Sequence, residues 1–408
     1  MRMRWDWFNR FDGVKKLVKP LAWTLAPASL IHPLAYWLAW IDWRADLITH
    51  FREPALAVSL VGSLALISRS RRLALGLGLL ALWQAWGLTL CYWPNPVPPQ
   101  ARSRERLRVL TANLLVDNND RERLIQLVRE ERPDVVGLIE VTSGWIAGLE
   151  TIRSEYSHRF EYPFDEDGQG IALWMKKQPL SVERFSSIAR GGIPAIHAVI
   201  DFAGKPRDLW VLHFRSPLLR NSTLPIGREF EALASIIQRQ GGSSLVVGDF
   251  NSTDGSPHFW RFLESSGLRD SRLGFGRQGS WPTWIPYRIG IDHAFLSNDL
   301  AVADRRLGSN IGSDHFPLII DVAPSESSAT NRSAQDSHST GSPGSSDEAN
   351  LARSACWRNV ASFSRSDVSS FSARTGSAPI SSVVFEPQPG PKASIKASRT
   401  SSDALIHR

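Results

Sequence analysis

In the run Gly248-Asp249-Phe250-Asn251-Ser252, two side chains have the types and spacing to act on one reacting group. The preceding Ser244-Leu245-Val246-Val247 is short, apolar and β-branched, the pattern of a buried strand. A carboxylate and a carboxamide two residues apart at the end of such a strand project together from the rim of a sheet. There they can set a general base and an amide donor on opposite sides of a substrate. The same residues also suit a plain polar turn, since Gly, Asp and Asn favour turn backbone. The rest of the chain separates the two readings.

Further polar residues fall at predicted strand ends. Asn113 follows the first apolar run in Thr111-Ala112-Asn113-Leu114, and Glu140 closes Val135-Val136-Gly137-Leu138-Ile139. His213 ends Leu209-Trp210-Val211-Leu212, Asp292 sits in Ile291-Asp292-His293, and Asp314-His315 lies in Gly312-Ser313-Asp314-His315-Phe316-Pro317. Each alone fits a solvated strand end or a backbone cap; together they point to a site built on sheet rims.

The elements that must position these groups can be read from periodicity. Strands are expected at 107–110, 135–139, 171–175, 195–200, 209–212, 244–247, 291–296 and 317–322, with amphipathic helices at 120–131 and 228–239. Strands clustered in the middle with helices interspersed predict an α/β sandwich rather than a simple doubly wound sheet.

Upstream, the first 20 residues hold six Lys/Arg, and residues 21–41 carry no charge. Transmembrane helices are expected at about 21–41, 54–70 and 73–93, the second shortened and helped by snorkelling arginines. The basic N-terminus and the Arg69-Ser70-Arg71-Arg72 loop place the N-terminus inside, so the chain emerges on the outer face after the third span. Residues 94–106 form a Pro-rich, basic linker leading to a domain at 107–322. From 323 to 408 the chain is expected to be disordered, since 23 of the 85 residues at 324–408 are serine.

Charge is uneven. Residues 1–93 hold 11 Lys/Arg against 5 Asp/Glu, net +6; residues 94–323 hold 27 against 28, net −1. The region with the candidate residues therefore lacks the basic footprint of a domain that lives on nucleic-acid backbones. Two distant cysteines, Cys91 and Cys356, give no disulfide framework and no zinc pattern.

Taken in order, Asn113, Glu140, the Gly-Asp-Phe-Asn run, Ile291-Asp292-His293 and Ser313-Asp314-His315 resemble the endonuclease/exonuclease/phosphatase (deoxyribonuclease I-like) superfamily, closest to its bacterial membrane-attached branch. The resemblance covers about 107–322. It implies a four-layered sandwich of two packed β-sheets flanked by helices, and a Mg²⁺-dependent phosphoester hydrolase, with Mn²⁺ as a substitute. Carried over by position, Glu140 would be the main metal ligand, helped by Asn113 and Asp314. Asp249 would orient or deprotonate water, Asn251 would hold a phosphate oxygen, and His315, oriented by Asp292, would contact the scissile phosphate. His213 would sit near the leaving group. The chain departs from the usual pattern at Leu212, where many members carry Thr. It departs again at Gly290, where many carry Arg and this chain has Arg288 two residues earlier.

The resemblance leaves a DNA nuclease proper and an inert binding module of the same fold as alternatives. Retention of Glu140, Asp249 and His315 favours an enzyme. Its expected partners are a membrane and a phosphoester that is lipid-linked, small or part of a nucleic acid; no protein partner can be inferred. Asn251-Ser252-Thr253 is a glycosylation sequon inside the expected site, which argues for a bacterial inner membrane with a periplasmic domain. The aromatic loop at 279–287 would suit a lipid interface or a nucleobase stack if exposed.

Overall fold

The computed structural model describes residues 23–93, 105–166, 168–185, 194–218 and 226–325. The expected basic N-terminus and nearly all of the linker and of the serine-rich tail lie outside the described residues; residues 323 and 324 of the expected tail belong to the last strand.

The N-terminal helices come first. Of the stretch 21–41, the described residues 23–41 do not form one continuous span. Helix α1 covers only Ile31–Leu38, after a turn in which Leu30 N bonds Pro27 O at 3.0 Å. Pro27 and Pro33 lack the N–H groups that an unbroken helical ladder needs. Helix α2 (Trp43–Thr49) is capped by Asp42, whose carboxylate accepts from Arg44 N. Helix α3 (Arg52–Leu66) has 15 residues, about 22 Å, short of a bilayer's hydrocarbon core. Helix α4 (Arg71–Thr89), capped by Ser70 and prolonged by a 3₁₀ turn at Leu90–Tyr92, is long and apolar enough to cross a membrane. Among the described residues it is the one helix that meets that test, where three spans are expected from the sequence. Helices α3 and α4 form a hairpin clasped by Ser63 Oγ on Ala74 O at 2.7 Å.

Next, among the described residues, come twelve strands in two mixed sheets. In chain order the elements are β1 (Leu107–Asn113), α5 (Arg121–Glu131), β2 (Val135–Ile139), α6 (Ser143–Gly148), α7 (Glu150–Arg153), β3 (His158–Tyr162), β4 (Ile171–Met175), β5 (Ser181–Phe185), β6 (Ala195–Phe202) and β7 (Lys205–His213). They continue with α8 (Ile226–Gln240), β8 (Ser244–Asp249), α9 (Pro257–Ser266), β9 (Arg269–Asp270), β10 (Asp292–Leu296), β11 (Leu300–Leu307) and β12 (Leu318–Pro324). The sheet orders are β11-β12-β1-β2-β4-β3 and β5-β6-β7-β8-β10-β9. Each sheet has one central parallel pair, β1 with β2 and β7 with β8, flanked by antiparallel neighbours.

Side-chain alternation assigns the layers. On β2, Val135 faces the core between the sheets, and Val136 and Leu138 face the cluster under α5 to α7. On β8, Leu245 and Val247 face inward while Val246 packs under α8 and α9 with Trp210 and Phe250. The result is helices, sheet, sheet, helices, the sandwich expected from the resemblance. The strands not anticipated from sequence, β3, β5, β9 and β11, are the four sheet edges. Edge strands mix charged and apolar residues, as in Ser181-Val182-Glu183-Arg184-Phe185, and in β11 the apolar run Leu300-Ala301-Val302-Ala303 gives way to Asp304-Arg305-Arg306.

Candidate active site

The alternation that builds the inner core also aims the site residues. Counting by twos from the inward-facing Val109 on β1 reaches Asn113, and from Leu209 and Val211 on β7 it reaches His213. From Leu245 and Val247 on β8 it reaches Asp249, and back from Leu296 and Ala294 on β10 it reaches Asp292. All four project into the cleft between the sheets at the same end. Register keeps them level, since His213 and Asp292 both pair with Asp249, on its two sides. In the other sheet Asn113 pairs with Ile139, one residue before Glu140. His315 enters from the loop leading into β12, which runs antiparallel to β1.

Three of these strand or loop ends use one local device. Asn113 Oδ1 accepts from Leu115 N at 3.0 Å, Asp249 Oδ1 from Asn251 N at 2.8 Å, and Ser313 Oγ from His315 N at 3.0 Å. Each side chain thereby turns the chain back two residues on. Glu140 and Asn251 have positive φ, 60° and 47°, a conformation uncommon outside glycine. Gly248 (φ 150°) is required by close approach, because a Cβ there would lie 1.9 Å from Leu212 O on β7.

The floor is buried and the rim half-buried. Asn113, Asp249, Asp292 and His315 are buried; Glu140, His213, Asn251 and Asp314 are partly exposed. Asn113 Nδ2 donates to Glu140 Oε1 at 2.9 Å and to Asp249 Oδ2 at 3.2 Å, joining the two sheets. Val116 N donates to Glu140 Oε2 at 3.2 Å. His213 Nε2 lies 3.9 Å from Glu140 Oε1 and 3.7 Å from Asp249 Oδ2, and its Nδ1 faces Gly168 O at 3.2 Å. Asn251 Nδ2 donates to Phe214 O at 2.8 Å and lies 3.4 Å from His213 Nε2. His315 Nδ1 faces Asp292 Oδ2 at 2.8 Å, and its Nε2 lies 3.7 Å from Asp249 Oδ2. Asp314 turns to the aromatic loop instead, where Trp281 Nε1 donates to its Oδ2 at 2.9 Å.

Burial and charge set the protonation of the floor. Burial pushes the Asp249 carboxyl up to about 6, against the pull of His315. Burial alone would lower His315, yet Asp292 and Asp249 beside it outweigh that and push it up to about 10. Burial would raise Asp292, but the His315 charge and hydrogen bond hold its carboxyl below the usual range.

Two donor sets could receive a cation. Ligand atoms of Asp249, Asp292 and His315 lie within 4.8 Å of one another. The two carboxylates favour the charged form of His315, so this set would have to release a proton to receive a cation. Of the set expected from sequence, Glu140 is a partly exposed carboxylate at the cleft, the hard oxygen donor that Mg²⁺ takes. Asn113 presents its amide N–H to Glu140, with one Oδ1 lone pair already engaged by Leu115 N. No hydrogen bond joins Asp314 to either among the described residues.

Some partners left no usable trace in the sequence. Ser280 is fully buried and its Oγ accepts from Asp292 N at 3.3 Å. Arg288, the arginine displaced by two positions, stands with its guanidinium 4.8 Å from the ring of Phe316, the residue after His315. The loop after Asn251 is braced from the N-terminal helices. Ser256 Oγ donates to Asp46 Oδ1 at 2.6 Å, His50 Nδ1 faces Thr253 Oγ1 at 3.0 Å, and Arg52 Nη2 donates to Asp254 O at 2.6 Å. Arg272 shares the Asp254 carboxylate at 3.3 Å.

A family model described as the Endonuclease/Exonuclease/phosphatase family matches residues 110–315. Among solved structures, D. rerio TDP2 complexed with single strand DNA product is 19% identical, with TM-score 0.44, over 53% of this chain and 98% of that one. An endonuclease/exonuclease/phosphatase from Bacteroides vulgatus is 18% identical, with TM-score 0.45, over 54% and 100%. The human Nocturnin catalytic domain with bound sulfate anion is 17% identical, with TM-score 0.44, over 57% and 99%. No curated protein matches the chain.

Proposed function

The chain belongs to the endonuclease/exonuclease/phosphatase family, and from that premise we propose that it is a Mg²⁺-dependent phosphoester hydrolase held at a membrane by its N-terminal helices. The observation that carries the reading is the convergence of Asn113, Glu140, His213, Asp249, Asp292 and His315, from both sheets, at one end of the inter-sheet cleft.

Hydrolysis of a phosphoester needs an in-line water, neutralisation of the non-bridging oxygens and a proton for the departing alkoxide. Glu140 offers carboxylate oxygens for the cation, with Asn113 fixing it against Asp249, while Asp314 is held by Trp281 on the aromatic loop. Mg²⁺, when bound, supplies charge neutralisation at the phosphoryl oxygens. Asp249 takes the proton of the attacking water. His315, held by Asp292, donates its Nε2–H toward a phosphoryl oxygen, and Asn251 holds another. His213 stands near the leaving oxygen and supplies its proton.

Membrane attachment is supported by the surface of the helical hairpin. Leu64 on α3 and Leu75, Leu79 and Leu82 on α4 are each more than half exposed, a surface that lipid would cover. The 42–53 segment and the end of α4 both meet the catalytic sandwich, so all three share one side of the membrane, opposite the Arg69–Arg72 turn. With arginines inside, that side is extracytoplasmic.

The test is metal dependence. A chelator should abolish hydrolysis of bis(4-nitrophenyl) phosphate by the full chain, and Mg²⁺ or Mn²⁺ should restore it. Glu140→Ala should lose activity with an unchanged circular dichroism spectrum. Full activity in chelator overturns the assignment.

A further inference from the structure

The loop between Trp281 and Ile289 links the site to the membrane hairpin. Its ends pair as an antiparallel bridge. On the site side, Trp281 Nε1 holds Asp314 Oδ2, and Thr283 N donates to Asp314 O at 3.0 Å. On the other side, Tyr287 Oη donates to Glu53 Oε2 at 3.0 Å, and its ring stacks on Phe51 with centroids 6.3 Å apart. Between these attachments Trp284 and Ile285 stand 67% and 40% exposed. The strip then continues toward α4. Glu53 pairs with Arg277, and a Cβ at Gly276 would lie 2.7 Å from the Tyr92 ring. Gly274 N and Gly276 N both donate to Cys91 O, so the end of the apolar helix is fastened to the sandwich. Tyr92 and Trp93 are themselves more than half exposed.

We propose that Phe51, Tyr92, Trp93, Trp284, Ile285 and Tyr287 rest in the headgroup layer of a lipid bilayer and hold the cleft against it, so that the substrate is a phosphoester carried by a lipid. This rests on the hydrolase reading and on α4 as a span. Continuity with α4 fixes the occupant. The 22 residues from Arg71 to Tyr92 extend about 33 Å, so lipid covering α4 reaches its polar boundary at Tyr92 and Trp93. Indole and phenol rings belong at that boundary, because one end is apolar and the other hydrogen-bonds water. The rest of the strip lies along that level through residue-to-residue contacts, and Arg288 beside Phe316 offers a cation to an anionic head group.

The experiment uses the full chain, with Cys91→Ala and Cys356→Ser, in vesicles of phosphatidylcholine and phosphatidylglycerol. A polarity-sensitive fluorophore is placed at Ile285→Cys or, as control, at Asp201→Cys. Asp201 pairs with Pro206, seven residues along β7 from His213 and about 23 Å from the site end. Bromine-substituted acyl chains should quench the label at 285 at least twofold and leave that at 201 unchanged. Equal quenching at the two positions, or a label at 285 shielded from water without bromolipid quenching, as under a protein partner, overturns the proposal. A second arm compares a fluorogenic phosphodiester lipid in the same vesicles with bis(4-nitrophenyl) phosphate. Trp284→Ala with Ile285→Ser should lower the ratio of the two rates at least tenfold, and an unchanged ratio is adverse. Quenching needs no turnover, so it reads the rim even if the chelator test fails. Loss of quenching with metal-dependent hydrolysis intact overturns the rim alone.

Discussion

Replacing Asp292 by Asn tests whether His315 works as one half of a pair. The Asp292 Oδ2 to His315 Nδ1 contact is 2.8 Å, and both side chains are under one-tenth exposed. Asn keeps the shape and removes the charge that holds the imidazolium in place. A hydrogen bond to a charged partner contributes about 1.5–3 kcal/mol, and if all of it is expressed in the transition state, kcat falls by roughly tenfold to 150-fold. KM should move little, since Asp292 touches His315 and not the substrate. The assay is initial-rate hydrolysis of bis(4-nitrophenyl) phosphate at saturating Mg²⁺ by wild type, Asp292→Asn, His315→Ala and the double variant, with circular dichroism confirming the fold of each. If Asp292 acts through His315, the double variant is no slower than His315→Ala alone. Multiplicative losses, or an Asp292→Asn kcat within twofold of wild type, would refute the pairing.

Three further outcomes are expected. Asp249→Asn, which keeps volume and removes the base, should lower kcat by ~10²-fold or more with KM nearly constant, and a retained kcat removes Asp249 from the chemistry. Burial pushes the Glu229 carboxyl on α8 up to about 8. The folded state therefore binds that proton more tightly than the unfolded state, and the resulting stability, present below about 4.5, is lost as pH rises through about 8. Glu229→Gln should accordingly be more stable than wild type at pH 8.5, by at most ~5 kcal/mol, with the gap shrinking toward pH 5; a Tm difference independent of pH contradicts this. Finally, a periplasm-active reporter should work when fused after Val322 and fail when fused at Arg71, and the same response at both positions would show that α4 does not span.

Local pattern in the sequence was enough to locate the strand ends, because a buried strand declares itself over a few residues. Val135–Ile139 and Ile171–Met175 coincide with β2 and β4, and the polar residue after each inner strand was visible as a change of chemistry at its end. Two-residue alternation even determined that Asn113, His213, Asp249 and Asp292 share an inward phase with their own strands. What alternation could not supply is which strands are neighbours. That Asn113 bonds Glu140, 27 residues away, follows from the pairing of β1 with β2, and that it bonds Asp249, 136 away, from the packing of the two sheets. Only tertiary structure decided the four edge strands, whose charged residues interrupt the apolar pattern. It also decided the break in 21–41, where an uncharged stretch passes for a span until Pro27 and Pro33 are weighed against the helical hydrogen-bond ladder. In the sequence Arg52 is a charge between two apolar runs. Its burial against Asp254, 202 residues on, comes from the docking of the helical hairpin onto the loop after Asn251, an encounter between surfaces that no local pattern encodes.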